Sequence, residues 1–431
     1  MFAKMAFRNI RSKINDYLIY LFTLTALSAM MLSAFMLPVF PVLSDNDSGA
    51  FMSNSLPAII ALTLLFLMLY MNRFMLRRRS QEFAIYMLSG VPQNKISLLY
   101  FGEHILLGLL ALAVGLSFGL ILFCIILTIF SATWTFGDLI LAVLQTCVYY
   151  IATHVASLVI TIFYIKRLNI KNLLGHHKDN EQIKLNKTRL ILLSTITMIA
   201  FPVLFYQIIN FDPFTASTLI ITIGIIIYGA YTSILGWLSW YRNKQGNLLY
   251  KDMRLFIIGQ LMSKIKTVTR MSTVISCCLL CAMCSFIAGW IFTGNAGLLL
   301  GGQDDVVMGF AQFYIAVLFT VIVFSVIALQ QIVDIREYRQ KFTVLRQLGT
   351  NTDNLNRILF KQVFLNFTLP VSMAVILMLF CLYPLEQIMS LSLGKEYLVV
   401  HGAFIYLGIF AVLYICYMIA TYISLIKIIY T

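Results

Sequence analysis

Residues 77–90 (RRRSQEFAIYMLSG) and 336–349 (REYRQKFTVLRQLG) decide how this chain reads, because one short polar segment occurs twice. At an offset of 259, Arg77 pairs with Arg336, Gln81 with Gln340, Phe83 with Phe342, Gly90 with Gly349 and Phe101 with Phe360. Conservative partners fill the intervals: Ile85 with Val344, Ile96 with Leu355, Leu99 with Ile358. A second correspondence, at an offset of 251, lays Ser12, Lys13 and Ile14 over Ser263, Lys264 and Ile265. Each polar segment leaves one long apolar stretch and leads into another, so the chain reads as two related halves in the same orientation.

The setting is a membrane. With 61% hydrophobic and 11% charged residues and a mean hydropathy of +0.90, the chain has too little polar surface to clothe a water-soluble domain. Apolar runs of the length that crosses a ~30 Å hydrocarbon core as helix fall at about 17–37, 56–76, 99–125, 139–165, 190–209, 216–240, 271–293, 310–333, 358–382 and 399–426. The expected fold is all-α: a polytopic bundle of ten transmembrane helices. Its expected domains are a first half at 1–165, a linking region at 166–250 with spans 5 and 6, and a second half at 251–431.

The net charge of +14 is a topology signal. Lys and Arg cluster in the N-terminal segment and in loops 73–95, 166–189, 242–270 and 336–361, whereas Asp45, Asp47, Asp138, Asp212, Asp304, Asp305, Glu386 and Glu396 gather in the others. By the positive-inside rule both termini are cytoplasmic, and an even number of spans agrees. The basic loops suit anionic lipid headgroups, and no nucleic-acid partner is expected. Residues 2–14 and 252–266 place apolar and basic side chains on different helical faces, as expected of helices lying in the inner interface. The basic start and apolar run of residues 1–37 read as a retained first span, with no clear cleavage site after it.

The duplicated segments resemble the FtsX-like permease superfamily, the membrane subunits of ABC transporters that include the MacB, lipoprotein-releasing and Bce-type systems. Carrying the resemblance are Glu82, Phe83, Ile85, Gly90 and Ile96 in one copy and Lys341, Phe342, Val344, Gly349 and Leu355 in the other. Glu103 sits where such proteins often have an acidic residue. The ten-span layout is similar to the Bce-type branch, with one departure: only residues 294–309 lie where that branch has a large extracellular domain, and the loop at 38–55 is equally short.

The resemblance implies a cytoplasmic ATPase subunit, two copies of it, with ATP and Mg bound there. This chain has no Gly-x4-Gly-Lys-Ser/Thr phosphate cradle of its own, so no ATPase site, cofactor or metal is expected on it. Docking to that subunit is expected of Arg79, Gln81, Glu82, Phe83, Ile85, Tyr86 and Gly90, and of Arg339, Gln340, Lys341, Phe342, Val344, Leu345 and Gly349. In this reading Phe83 and Phe342 are apolar anchors in a polar rim, and exchanging both for Asp abolishes docking without disturbing insertion. Gly90 and Gly349 suit helix C-terminal caps. Asp304 and Asp305 are an expected outer-loop contact for a cationic peptide.

The remaining candidates are bland. Cys277, Cys278, Cys281 and Cys284 read as packing residues of span 7, and Glu103, His104 and His154 as paired or capping groups ahead of a proton relay. The expected function is a permease subunit of an ATP-powered transporter acting on an amphipathic or antimicrobial peptide, or a lipid-linked molecule, in the bacterial plasma membrane. The alternatives are a non-transporting transmitter that drives a sensor histidine kinase or a wall hydrolase, and an ion-coupled secondary transporter.

Overall fold

A computed structural model describes residues 14–36, 47–130, 135–166, 187–210, 213–243, 258–259, 261–262, 265–294, 303–347, 349, 352–394 and 397–430. These residues form helices α1 (Ile14–Phe35), α2 (Asp47–Arg78), α3 (Ser80–Leu88), α4 (Gln93–Phe130), α5 (Phe136–Lys166), α6 (Lys187–Ile209), α7 (Pro213–Asn243), α8 (Ile265–Gly294), α9 (Gln303–Gln347), α10 (Thr352–Leu393) and α11 (Leu398–Tyr430). Each apolar stretch read from the sequence has its own long helix, the first followed as far as Phe35, and α3 carries the first polar segment. Among the described residues, eight helices are long and apolar enough to cross a membrane, whereas α1 and α2 contribute shorter apolar sections, Tyr20–Phe35 and Ile60–Arg73. Most of the interfacial segments at 2–14 and 252–266 lie outside the described residues.

By packing, the chain divides into two units: Met1–Asp179 with Phe292–Val333, and Asn180–Ile291 with Asp334–Thr431. The expected sequence domains follow the repeat instead; packing assigns the start of α9 to the first unit and its end to the second.

In the first unit α1 is the hub, lying against α2, α4 and α5. Tyr17, Tyr20, Leu24, Leu27 and Met31 alternate by three and four along α1 and are all buried, the spacing that keeps one face inward over several turns. Small residues let α4 come close. A Cβ added at Gly115 would collide with Ser28 Oγ and stand 3.0 Å from the Thr25 carbonyl, and one at Gly119 would stand 2.9 Å from the Ala29 carbonyl. Gly-x3-Gly spacing puts both on one side of α4, the arrangement by which membrane helices gain contact area in the absence of a hydrophobic driving force.

Each unit carries hydroxyl-to-carbonyl bonds at matching places. In the first, Tyr150 on α5 donates to the Gly108 carbonyl of α4 at 3.0 Å, and Ser28 on α1 to the Ala111 carbonyl at 3.4 Å. In the second, Tyr414 on α11 donates to the Phe367 carbonyl of α10 at 2.8 Å, and Ser276 on α8 to the Pro370 carbonyl. Both acceptor pairs obey the offset of 259 read from the sequence. Tyr231 of α7 adds bonds of 2.9 and 3.0 Å to the Leu369 and Pro370 carbonyls, tying down the region of α10 where Pro370 removes a backbone donor.

Candidate functional site

The two polar segments share one design. α3 ends at Leu88, and Gly90 follows with φ +81°; α9 ends at Gln347, and Gly349 follows with φ +84°. The Gly90 N–H donates to the Met87 carbonyl at 3.1 Å and the Val91 N–H to the Tyr86 carbonyl at 3.0 Å, the paired bonds of a Schellman cap. The Gly349 N–H donates equivalently to the Arg346 carbonyl at 3.0 Å. Both glycines therefore stand where the sequence places helix stops, in a backbone conformation that costs other L-residues energy.

Facing is preserved at the phenylalanine and at the aliphatic residue two places on, although Ala84 is buried and its counterpart Thr343 is exposed. Phe83 and Phe342 are each 2% exposed, while Ile85 and Val344 are 58% and 54% exposed. Tyr86 and Leu345 are half-buried, as is Glu82. Beyond each cap, Ile96 and Leu355, like Leu99 and Ile358, are buried. Phe83 joins Leu76, Ile96, Tyr100, Leu158 and Ile165 in one apolar cluster, its ring edge-on to Tyr100 at 6.3 Å. Phe83 thus fastens α3 to its own unit and Phe342 is equally buried, which corrects the expectation of two offered anchors; the outward apolar side chains are Ile85 and Val344, with Leu88 beside the former. The side chains of Gln81, Arg339, Gln340 and Lys341 lie outside the described residues.

Arg79 is likewise turned inward rather than presented to a partner. It occupies the single-residue junction between α2 and α3, with φ −98° and ψ 10°. Backbone bonds from Arg79 N to Met75 O and from Phe83 N to Arg79 O, both 3.1 Å, carry the chain through the junction. The buried guanidinium donates through Nη1 to Glu103 Oε2 and to the Tyr17 hydroxyl at 3.0 Å. Through Nε it donates to Glu82 Oε2 at 3.1 Å, and it lies 5.1 Å over the Phe83 ring. Tyr17 completes the triangle by donating to Glu103 Oε2 at 3.2 Å. Burial works against the arginine charge, and the Tyr17 and Glu103 oxygens more than offset it, so the proton is held more firmly than in water.

Behind the triangle lies a polar core that links four helices. Tyr20 donates to Asn72 Oδ1 at 3.4 Å, Asn72 Nδ2 to Thr161 at 3.3 Å, and Tyr100 to the Asn72 carbonyl at 3.1 Å. His104 stacks on Tyr100 at 3.8 Å and donates through Nδ1 to the Tyr100 carbonyl at 3.0 Å, while His154 Nε2 donates to the His104 carbonyl at 3.1 Å. Sequence reasoning singled out Glu103, His104 and His154 but missed Tyr17, Tyr20 and Asn72. One signal was present: the positions 259 residues after Arg79 and Glu103 are Tyr338 and Gln362, so both charges are peculiar to the first copy.

At the other candidate site, Asp305 is fully buried near the start of α9. It does not face outward as the expected peptide contact requires, and the Asp304 side chain lies outside the described residues.

Comparison with known proteins gives the same duplication. Residues 54–170 and 313–431 each match the family described as FtsX-like permease C-terminal, and the two matches begin at the spacing that pairs Phe83 with Phe342. The bacitracin export permease protein BceB of Bacillus subtilis (strain 168) is 23% identical over 181 residues, which cover 39% of this chain and 28% of that protein. The aligned part thus spans less than a third of the relative's length. Because the two family matches together take in more than half of the sequence, the chain belongs to the FtsX-like permease family, as a multi-pass membrane protein carrying the family's domain twice.

Proposed function

We propose that this permease is the membrane subunit of an ABC transporter, worked by a cytoplasmic ATPase subunit that docks on the outward faces of α3 and the end of α9. The observation that carries this reading is the matched exposure of Ile85 and Val344 on two segments closed by the same glycine cap. Exposed aliphatic side chains on a short helix give a second protein an apolar contact. Ten spans with cytoplasmic termini put both segments on the basic, inner side. The organisation is then a first half at 1–165, a linking region at 166–250 and a second half at 251–431. Two ATPase copies, each with ATP and Mg, fit two segments.

The distant likeness to a bacitracin export permease favours an amphipathic peptide or a lipid-linked molecule at the outer leaflet as substrate. The transmitter reading stays in contention on one observation: burial of Asp305 removes a side chain that would meet a cationic substrate from the outer side. Purification of the permease from its native membrane tests the proposal. The wild type brings down an ATPase subunit, and Ile85→Asp with Val344→Asp loses it by about tenfold or more, because a carboxylate in an apolar contact costs several times RT. Undiminished recovery with the double variant, or no ATPase subunit with the wild type, refutes the assignment.

A further inference from the structure

We infer that Arg79, Glu103 and Tyr17 form a charged latch that fastens the first coupling segment to α1 and α4, so that the two halves take up the ATPase stroke unequally. The inference rests on the docking reading of α3 given above and deepens it.

Among the described residues, this geometry occurs in the first half. Arg79 stands where α2 gives way to α3, and its guanidinium reaches three acceptors at once: Glu103 on α4, the Tyr17 hydroxyl on α1 and Glu82 on α3 itself. The planar fork of arginine holds its donors in fixed directions toward them, whereas the rotatable ammonium of lysine does not. Tyr17 bonds to both members of the pair, so each corner of the triangle is held from two sides. A displacement of α3 therefore reaches α1, the hub of its unit, through short directional bonds as well as through the Phe83 contact.

The second half is built otherwise. There the polar segment is the uninterrupted end of the 45-residue α9, and the residues equivalent to Arg79 and Glu103 are the uncharged Tyr338 and Gln362. Gln362 is buried with its Oε1 lacking a hydrogen-bond partner among the described residues. Replacing a buried ion pair by neutral groups is often harmless to stability, whereas removing one partner strands a charge. That a charged pair is kept in one copy and neutral residues stand in the other argues for positioning, not for stability.

The same physics separates positioning from mere structural support. Arg79→Met takes the balancing positive charge from the buried Glu103, so it lowers thermal stability; Arg79→Met with Glu103→Gln removes the uncompensated charge and restores it. In the restored double variant, with no ATPase present, amide exchange in residues 80–88 is expected to speed up about tenfold, that in residues 336–347 staying as in the wild type. In liposomes holding the double variant and its co-purified ATPase subunit, recovery of that subunit should stay at the wild-type level. The permease-dependent part of ATP hydrolysis should fall about tenfold, and Gln362→Ala should leave it intact. Unchanged exchange in residues 80–88, or coupling that returns together with stability in the double variant, overturns the latch. A wild-type permease that recovers no ATPase subunit defeats the docking reading instead, and the exchange measurement alone then decides whether the latch holds α3.

Discussion

Phe83 shows how far a single side chain can mislead when only its type is known. A phenylalanine beside charges in a short helix looks like an offered anchor, yet here it closes a core with Leu76, Ile96, Tyr100, Leu158 and Ile165. Phe83→Ala should therefore cost about 3–5 kcal/mol, visible as a lower melting temperature in detergent before any effect on partners. Phe83→Asp should reduce the amount of folded protein rather than spare it. Gly90 is the contrasting case. Nothing lies within 4 Å of a Cβ placed there, but its φ is +81°, so Gly90→Ala should cost about 1 kcal/mol by frayed α3 exchange, without a packing defect. The cap was legible because only glycine accepts that conformation freely. Which way Phe83 points was not, since the faces of a nine-residue helix are assigned by its neighbours.

At the level of elements, the long apolar stretches were legible because hydrocarbon demands helices of a given length and nothing else satisfies the backbone there. The partition of α2 and α3 at Arg79 was not, as a one-residue irregularity with continuing hydrogen bonds leaves no mark on the pattern. The contact of α1 with α4 hinges on two glycines that sequence reading passed over among other apolar residues. Gly115→Val would drive methyl groups into Ser28 and the Thr25 carbonyl, and the α1 backbone can yield only by moving away from α4. An overpacking cost of about 1–3 kcal/mol is expected, checked by thermal unfolding. Adding Ser28→Ala should recover only part of it, because the Thr25 carbonyl at 3.0 Å remains.

Across the whole molecule the duplication was the most legible property, and it recurs as paired residues, paired glycine conformations and paired family matches. Docking on two segments, as proposed, implies that loss is graded. Ile85→Asp alone or Val344→Asp alone should retain part of the ATPase subunit in pull-downs, with the double variant retaining almost none. Equal and complete loss in both single variants would mean that one partner surface grips both segments as a unit. The grouping of the start of α9 with the first unit lay beyond sequence reading, because no local pattern tells a helix which neighbour it will join. The bonds from Tyr150, Ser28, Tyr414 and Ser276 end on main-chain oxygens, at Gly108 and Ala111 in one copy and Phe367 and Pro370 in the other. A peptide oxygen survives any replacement of its side chain, so glycine and alanine in one copy and phenylalanine and proline in the other offer a donor the same foothold.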